Sequence, residues 1–133
     1  MTSSDLIQKL KLSITADEAE KLRLGEGLVI SSFNREVCLR LLENDSAVAD
    51  PVPETESGTL EAELKSYLEE YMQDKPEGHK WIITACLYLT YVEHLPMHPQ
   101  SAAKWKEQGG RYFCPSMEPD SFICKRCKCE KLI

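Results

Sequence analysis

A chain of 133 residues is long enough for one modest domain, and 42% hydrophobic residues are enough to give it a core. Charged residues make up 29% and the formal net charge is −6, which excludes a protein that coats nucleic acid over its whole surface. The charge is uneven: residues 104–133 carry seven Lys/Arg against four acids, so that stretch is +3 and the rest of the chain −9. The lysines there serve to keep a small loop soluble or to offset thiolate charge, with anion binding as the alternative.

The amino terminus carries Asp5, Lys9, Lys11, Asp17, Glu18 and Glu20 and lacks the apolar stretch of a secretory signal. The most apolar run, Trp81–Val92, would be about 18 Å long as a helix, against about 30 Å for a bilayer core. These features predict a cytoplasmic protein with no membrane span. In that compartment clustered cysteines are metal ligands more often than disulfides.

In chain order, residues 3–12 read as a short helix with Leu6, Ile7 and Leu10 on one face and Ser3 or Ser4 as cap. Thr15-Ala16-Asp17-Glu18 is a capping box, and Gly25 closes the helix that it opens. Leu28–Glu43 has Val29, Ile30, Phe33, Val37, Leu41 and Leu42 near helical spacing, with Cys38 among them as a small core residue. Residues 44–58, with two prolines, a glycine and four acids, read as a loop or linker. Thr59–Gln73 is an amphipathic helix with an apolar stripe of Leu60, Leu64, Tyr67, Leu68 and Tyr71 and a solvated, glutamate-rich opposite side.

Trp81–Leu95 is apolar nearly all round. Its length favours a buried central helix over a strand, despite its β-branched residues. Cys86 falls inside it as core, and Pro96 stops it. His79, beside Gly78, reads as a surface or satisfied histidine. Pro99–Gln108 reads as one more short helical piece, ended by Gly109-Gly110. Arg111–Phe113 and Ser121–Ile123 read as extended pieces, each leading into a cysteine. The fold class expected is mainly α: a small helical bundle in a single domain spanning 1–133, with a C-terminal metal-binding knuckle in residues 98–133.

Four of the six cysteines fall in that last segment, as Cys114, Cys124, Cys127 and Cys129, spaced C-x9-C-x2-C-x-C. Tyr112-Phe113-Cys114-Pro115 and Phe122-Ile123-Cys124-Lys125-Arg126-Cys127 resemble the turns of zinc ribbons and rubredoxin-like knuckles, in which thiolates converge on one ion. The first turn has Met117 where a second thiolate would stand. Cys114, Cys124 and Cys127 are therefore three ligands, and a fourth is needed. The candidates are His98, then His94, then Cys129, in that order. Cys129 is one residue from Cys127, and in an extended chain the two point to opposite sides. His94 and His98 are separated by Pro96, so they are not a helical H-x3-H pair. Three thiolates and one imidazole make a closed zinc site. With Cys129 as fourth ligand an iron–sulfur cluster is also admitted, although the spacings match common cluster motifs poorly.

The segment from His98-Pro99 through Gly109-Gly110 and Tyr112-Phe113-Cys114-Pro115 to Cys124-x-x-Cys127 resembles an uncharacterised archaeal family, found mostly in methanogens and known as a domain of unknown function. The resemblance covers the C-terminal part of the chain. It implies a mostly helical, metal-binding archaeal protein in which His98, Cys114, Cys124 and Cys127 act together. Where that family has a Gly/Pro/Phe-rich turn after the His-Pro pair, this chain has QSAAKWKEQ.

Three functions compete. The first is a non-catalytic module with structural zinc that acts through a protein partner. The second is a zinc or iron–sulfur metalloprotein with a redox or catalytic role, for which Glu93 is the obvious base. The third is a zinc-knuckle nucleic-acid binder using Arg111, Lys125, Arg126 and Lys128 with Tyr112, Phe113 and Phe122 as stacking groups. No phosphate loop, G-x-S-x-G or kinase motif is present. The first reading is preferred.

Overall fold

The computed structural model describes residues 1–45, 50–95 and 97, together with the backbone of 106–108 and 111–113. The chain opens with α1 (Ser3–Leu12). Its cap is Thr2 rather than Ser3 or Ser4, because only Thr2 has an acid three residues on. The Thr2 hydroxyl accepts from the Asp5 N–H at 3.2 Å, and the Asp5 carboxylate accepts from the Thr2 N–H at 2.9 Å. Hydrogen bonding from the Thr2 backbone N–H first, and from the Thr2 side chain second, holds the Asp5 carboxyl below its usual range. The expected capping box of α2 (Ala16–Leu24) is present, with Thr15 and Glu18 bonded reciprocally at 3.1 and 3.0 Å. Gly25 ends α2 in the left-handed conformation, φ 76°, where a side chain would also crowd the Arg35 guanidinium. Arg35 fills that space from the next helix and donates to the Leu22 and Arg23 carbonyls at 2.7 and 3.0 Å, closing the end of α2.

Helix α3 (Ser32–Glu43) begins later than the apolar spacing from Leu28 suggests. Gly27 turns left-handed at φ 84°, and the Ser31 hydroxyl caps by accepting from the Asn34 N–H. At its far end Lys11 of α1 donates to the Asn44 carbonyl at 2.8 Å, and the Asn44 amide donates to the Tyr88 hydroxyl at 2.8 Å.

The expected loop over 44–58 holds at 44–45 and is corrected after residues 46–49. Residues 50–52 are pinned to the amino terminus: Ser3 N–H donates to Asp50, Val52 N–H donates to Met1, and Thr2 bridges Pro51. Val52 is buried. Helix α4 then runs Glu54–Tyr71, starting at Glu54 instead of Thr59. The polar residues that read as loop satisfy themselves within the helix, since Ser57 and Thr59 hydroxyls donate to the Glu54 and Thr55 carbonyls. Glu54 and Glu56 also place negative charge at the positive end of the helix dipole. The apolar stripe of α4 is narrower than expected. Leu60, Leu64 and Leu68 are buried, while Tyr67 and Tyr71 lie on the flank, 44% and 64% exposed, and pack on each other at 4.8 Å.

A 3₁₀ turn, Pro76–Gly78, leads into α5 (His79–Tyr88), and a π-helical segment, Leu89–Glu93, extends it. The Trp81–Leu95 run is therefore helix from Trp81 to Glu93, two residues short of the expected end. Trp81, Ala85, Leu87, Tyr88, Leu89 and Tyr91 are all buried, because α5 packs on α3 and α4 and its extension also meets α1. Being enclosed on several sides is why the run carries no polar face. Thr90 is the exception in chemistry: its hydroxyl is buried and has no hydrogen-bond partner among the described residues. Such a group costs about 1–3 kcal/mol. Among the described residues no helix is long and apolar enough to cross a membrane.

Two short strands follow, β1 (Lys106–Gln108) and β2 (Arg111–Phe113), antiparallel with Lys106 opposite Phe113 and Gln108 opposite Arg111. Lys106–Gln108 was expected to end a helical piece and is strand instead. Ladder pairing with Arg111–Phe113 overrides its weak helical spacing. Arg111–Phe113 is extended, as the sequence reading has it.

Candidate metal centre

The residues expected to bind metal divide into two groups. His98, Cys114, Cys124, Cys127 and Cys129 lie outside the described residues, as does Ser121–Ile123. What is described is the approach: β2 ends at Phe113, immediately before Cys114. His94, the second candidate for the fourth ligand, lies within the described residues.

His94 sits where the π segment ends. It is the only non-glycine residue with positive φ among the described residues, at φ 55° and ψ 45°. Its N–H donates to the Leu89 carbonyl, and the Leu95 N–H donates to the same oxygen at 2.9 Å. The helix has therefore closed before Pro96, as the proline rule requires. The imidazole of His94 is exposed and makes no hydrogen bond among the described residues. Two residues beyond Leu95, Met97 is buried in the core.

Glu93, considered as a general base, is instead held by Arg40 of α3. The guanidinium donates through Nε and Nη2 to the two carboxylate oxygens, both at 2.8 Å. This bidentate contact raises the Arg40 pKa further above its ordinary value, against the desolvation that lowers it. A carboxylate so engaged has both oxygens occupied and is poorly disposed to take a proton from a substrate.

The remaining candidates are structural. Cys38 and Cys86 are buried in the core, as expected from their apolar helices, and burial pushes the Cys38 thiol up to about 12. A thiol in that state is neither nucleophile nor metal ligand at neutral pH. His79 has its Nε2 2.7 Å from the Met72 carbonyl oxygen, so it carries a proton there and donates to the C-terminal end of α4. Among the described residues no three His, Cys, Asp or Glu side chains converge on a point that could hold a metal ion. Three thiolates with one imidazole, the set expected from the sequence, would match the donor preference of zinc.

Two features had no signal in the sequence. One is a tie between helices: Lys80 donates to Glu18 at 2.7 Å, joining the start of α5 to the cap of α2. Burial pushes the Glu18 carboxyl up, but Lys80 and the Thr15 cap together outweigh it and hold the group below its usual range. The other is a cleft of about 300 Å³ between the segment before α3 and the start of α5, floored by Val29, Ile30, Met72, Trp81 and Ile82, with Lys75 at its edge. Gly78 lets these walls approach, since a Cβ there would lie 3.0 Å from the Val29 carbonyl oxygen.

No family model matches this chain, and no curated protein and no solved structure is found to be significantly similar to it.

Proposed function

We propose that this chain is a non-catalytic, cytoplasmic interaction module: a helical body whose C-terminal segment is closed by one structural zinc ion and which acts through a protein partner. Cys114, Cys124 and Cys127 supply three thiolates and one imidazole completes the set, from His98 or His94. The zinc contributes folding free energy to a segment too short to bury a core of its own. The observation that carries the reading is the cysteine spacing itself, C-x9-C-x2-C, together with a strand that ends directly at the first cysteine. The engagement of Glu93 by Arg40 supports the non-catalytic side, because it occupies the one carboxylate beside His94 that could serve as a base. The resemblance of the C-terminal motif to the archaeal family of methanogens belongs to the same proposal.

The test is elemental analysis of the purified chain with an optical spectrum. One zinc per chain and no visible absorbance are expected, and chelation should unfold the C-terminal segment while the helical far-ultraviolet signal of the body persists. Iron with a brown absorbance would overturn the zinc reading and make the protein an iron–sulfur protein using Cys129. Binding to nucleic acid that weakens steeply with salt would move the basic segment, Arg111, Lys125, Arg126 and Lys128, from solubility to recognition.

A further inference from the structure

The cleft between the segment before α3 and the start of α5 departs from the rest of the chain in its charge. The chain has 22 acidic residues against 16 basic ones, yet no Asp or Glu lines the cleft. Its floor is apolar, with Met72, Trp81 and Ile82 among the lining residues, and its polar side chains are those of Ser31, Asn34 and Lys75. Lys75 is exposed and makes no ion pair among the described residues. The side-chain amide of the half-buried Asn34 makes no hydrogen bond among them either, since the bond to the Ser31 hydroxyl comes from the Asn34 backbone N–H.

The walls are held before anything binds. The Met72 carbonyl accepts from the His79 ring at 2.7 Å and from the Lys75 N–H at 3.4 Å, and the Gly78 N–H donates to the Lys75 carbonyl at 3.1 Å. Lys80, bonded to Glu18 at 2.7 Å, lies 5.2 Å from the centre of the Trp81 ring. A site fixed in this way loses little freedom when it is filled. Its volume of about 300 Å³ is at the small end of ligand pockets. With water occupying about 30 Å³ per molecule, that space suits an occupant of roughly ten non-hydrogen atoms.

We propose that this cleft binds a small organic acid, with an apolar body of one ring or a short branched chain and a single carboxylate. The body covers Met72, Trp81 and Ile82 and removes their apolar surface from water. The carboxylate lies against the Lys75 ammonium and accepts from the Asn34 amide, two donors that the fold has not consumed. A neutral molecule of the same shape leaves the ammonium without a counter-charge, and a cationic one meets like charge. The lining comes wholly from the helical body, so the site is independent of the C-terminal cysteines and of the metal reading.

The test titrates the intact chain with benzoate and follows its amide and indole N–H signals by two-dimensional NMR, with benzyl alcohol and benzylamine as neutral and cationic probes of similar shape. Benzoate should shift the signals of Ser31, Asn34, Gly78 and the Trp81 indole saturably, with a Kd on the order of a millimolar. Benzyl alcohol should bind several-fold more weakly, and benzylamine should not saturate. Lys75→Gln and Asn34→Ala remove side-chain groups that have no partner among the described residues, so both variants stay folded, which circular dichroism checks. Each should weaken benzoate by about two- to fivefold, the range of an exposed charged contact. Equal affinity for the three probes, or wild-type affinity for benzoate in Lys75→Gln, overturns the proposal. Shifts that do not saturate, or that map to helices away from the cleft, overturn it as well.

Discussion

The two ends of the buried helix each carry a histidine, and the pair are used in opposite ways. At the start of α5 the ring of His79 is committed and its backbone is ordinary: Nε2 donates to the last turn of α4, and the residue lies in right-handed helical geometry. At the end of the π extension the backbone of His94 is committed, and its ring makes no hydrogen bond among the described residues. One histidine closes a neighbouring helix, and the other is presented to solvent by a turn that ordinarily belongs to glycine. Residue type alone could not separate them. What separates them is which atoms the fold has already consumed.

Both ends depend on the core that Trp81, Leu87, Tyr88 and Leu89 build against α3 and α4. The largest expected effect comes from breaking that common support. Trp81 is 2% exposed, and Trp81→Ala should cost about 3–5 kcal/mol in chemical denaturation. The midpoint should move for probes near either histidine together. If the His79 end melted first and the His94 end kept its wild-type midpoint, the two ends would not share one cooperative core.

A smaller effect sharpens the contrast. His79→Ala removes the donor to the Met72 carbonyl and should destabilise the helical body by about 0.5–1.5 kcal/mol. With a chelator present the substitution His94→Gly should act with the opposite sign, relieving roughly 1 kcal/mol of left-handed backbone cost. Equal and same-signed effects on stability would erase the distinction drawn between the two residues. The readout is denaturant titration of both variants under chelating conditions.

The helices were legible wherever a local rule decided them. Thr15-Ala16-Asp17-Glu18 announces its cap because the box is complete within four residues. Trp81–Leu95 announces a buried helix because no charged residue interrupts it before Glu93. The start of α4 was not legible, because it is set by long-range contacts. Val52 is buried, residues 50–52 pair with the amino terminus, and Tyr91 donates to Glu56 at 3.2 Å. Composition alone made that stretch a linker. Lys106–Gln108 was misread for the same reason, since a strand of three residues is defined by its partner. Of the candidate site, the cysteine spacing was visible in the sequence, and His94 was visible only as a histidine near a proline. Its left-handed backbone and its clamp leave no local pattern, because Arg40 and Glu93 lie 53 positions apart.

That clamp gives the smallest and most local way to break the comparison. The geometry is bidentate and short, but Arg40 is 44% exposed at its side chain, against 18% for Glu93, so solvent screens the pair. A double-mutant cycle with Arg40→Ala and Glu93→Ala should therefore return a coupling of only about 0.5–1 kcal/mol, and less at high salt. Its consequence should be confined to one end of the helix. Amide exchange at His94 and Leu95, whose N–H groups share the Leu89 carbonyl, should quicken in Arg40→Ala. Exchange at Gly78, bonded to Lys75 ahead of the other histidine, should stay at its wild-type rate. Faster exchange at both ends would mean that the pair supports the core at large. No change at either end would mean that the Leu89 carbonyl and the burial of Met97 hold the left-handed turn by themselves, and that Arg40 only neutralises a carboxylate left at the end of the helix.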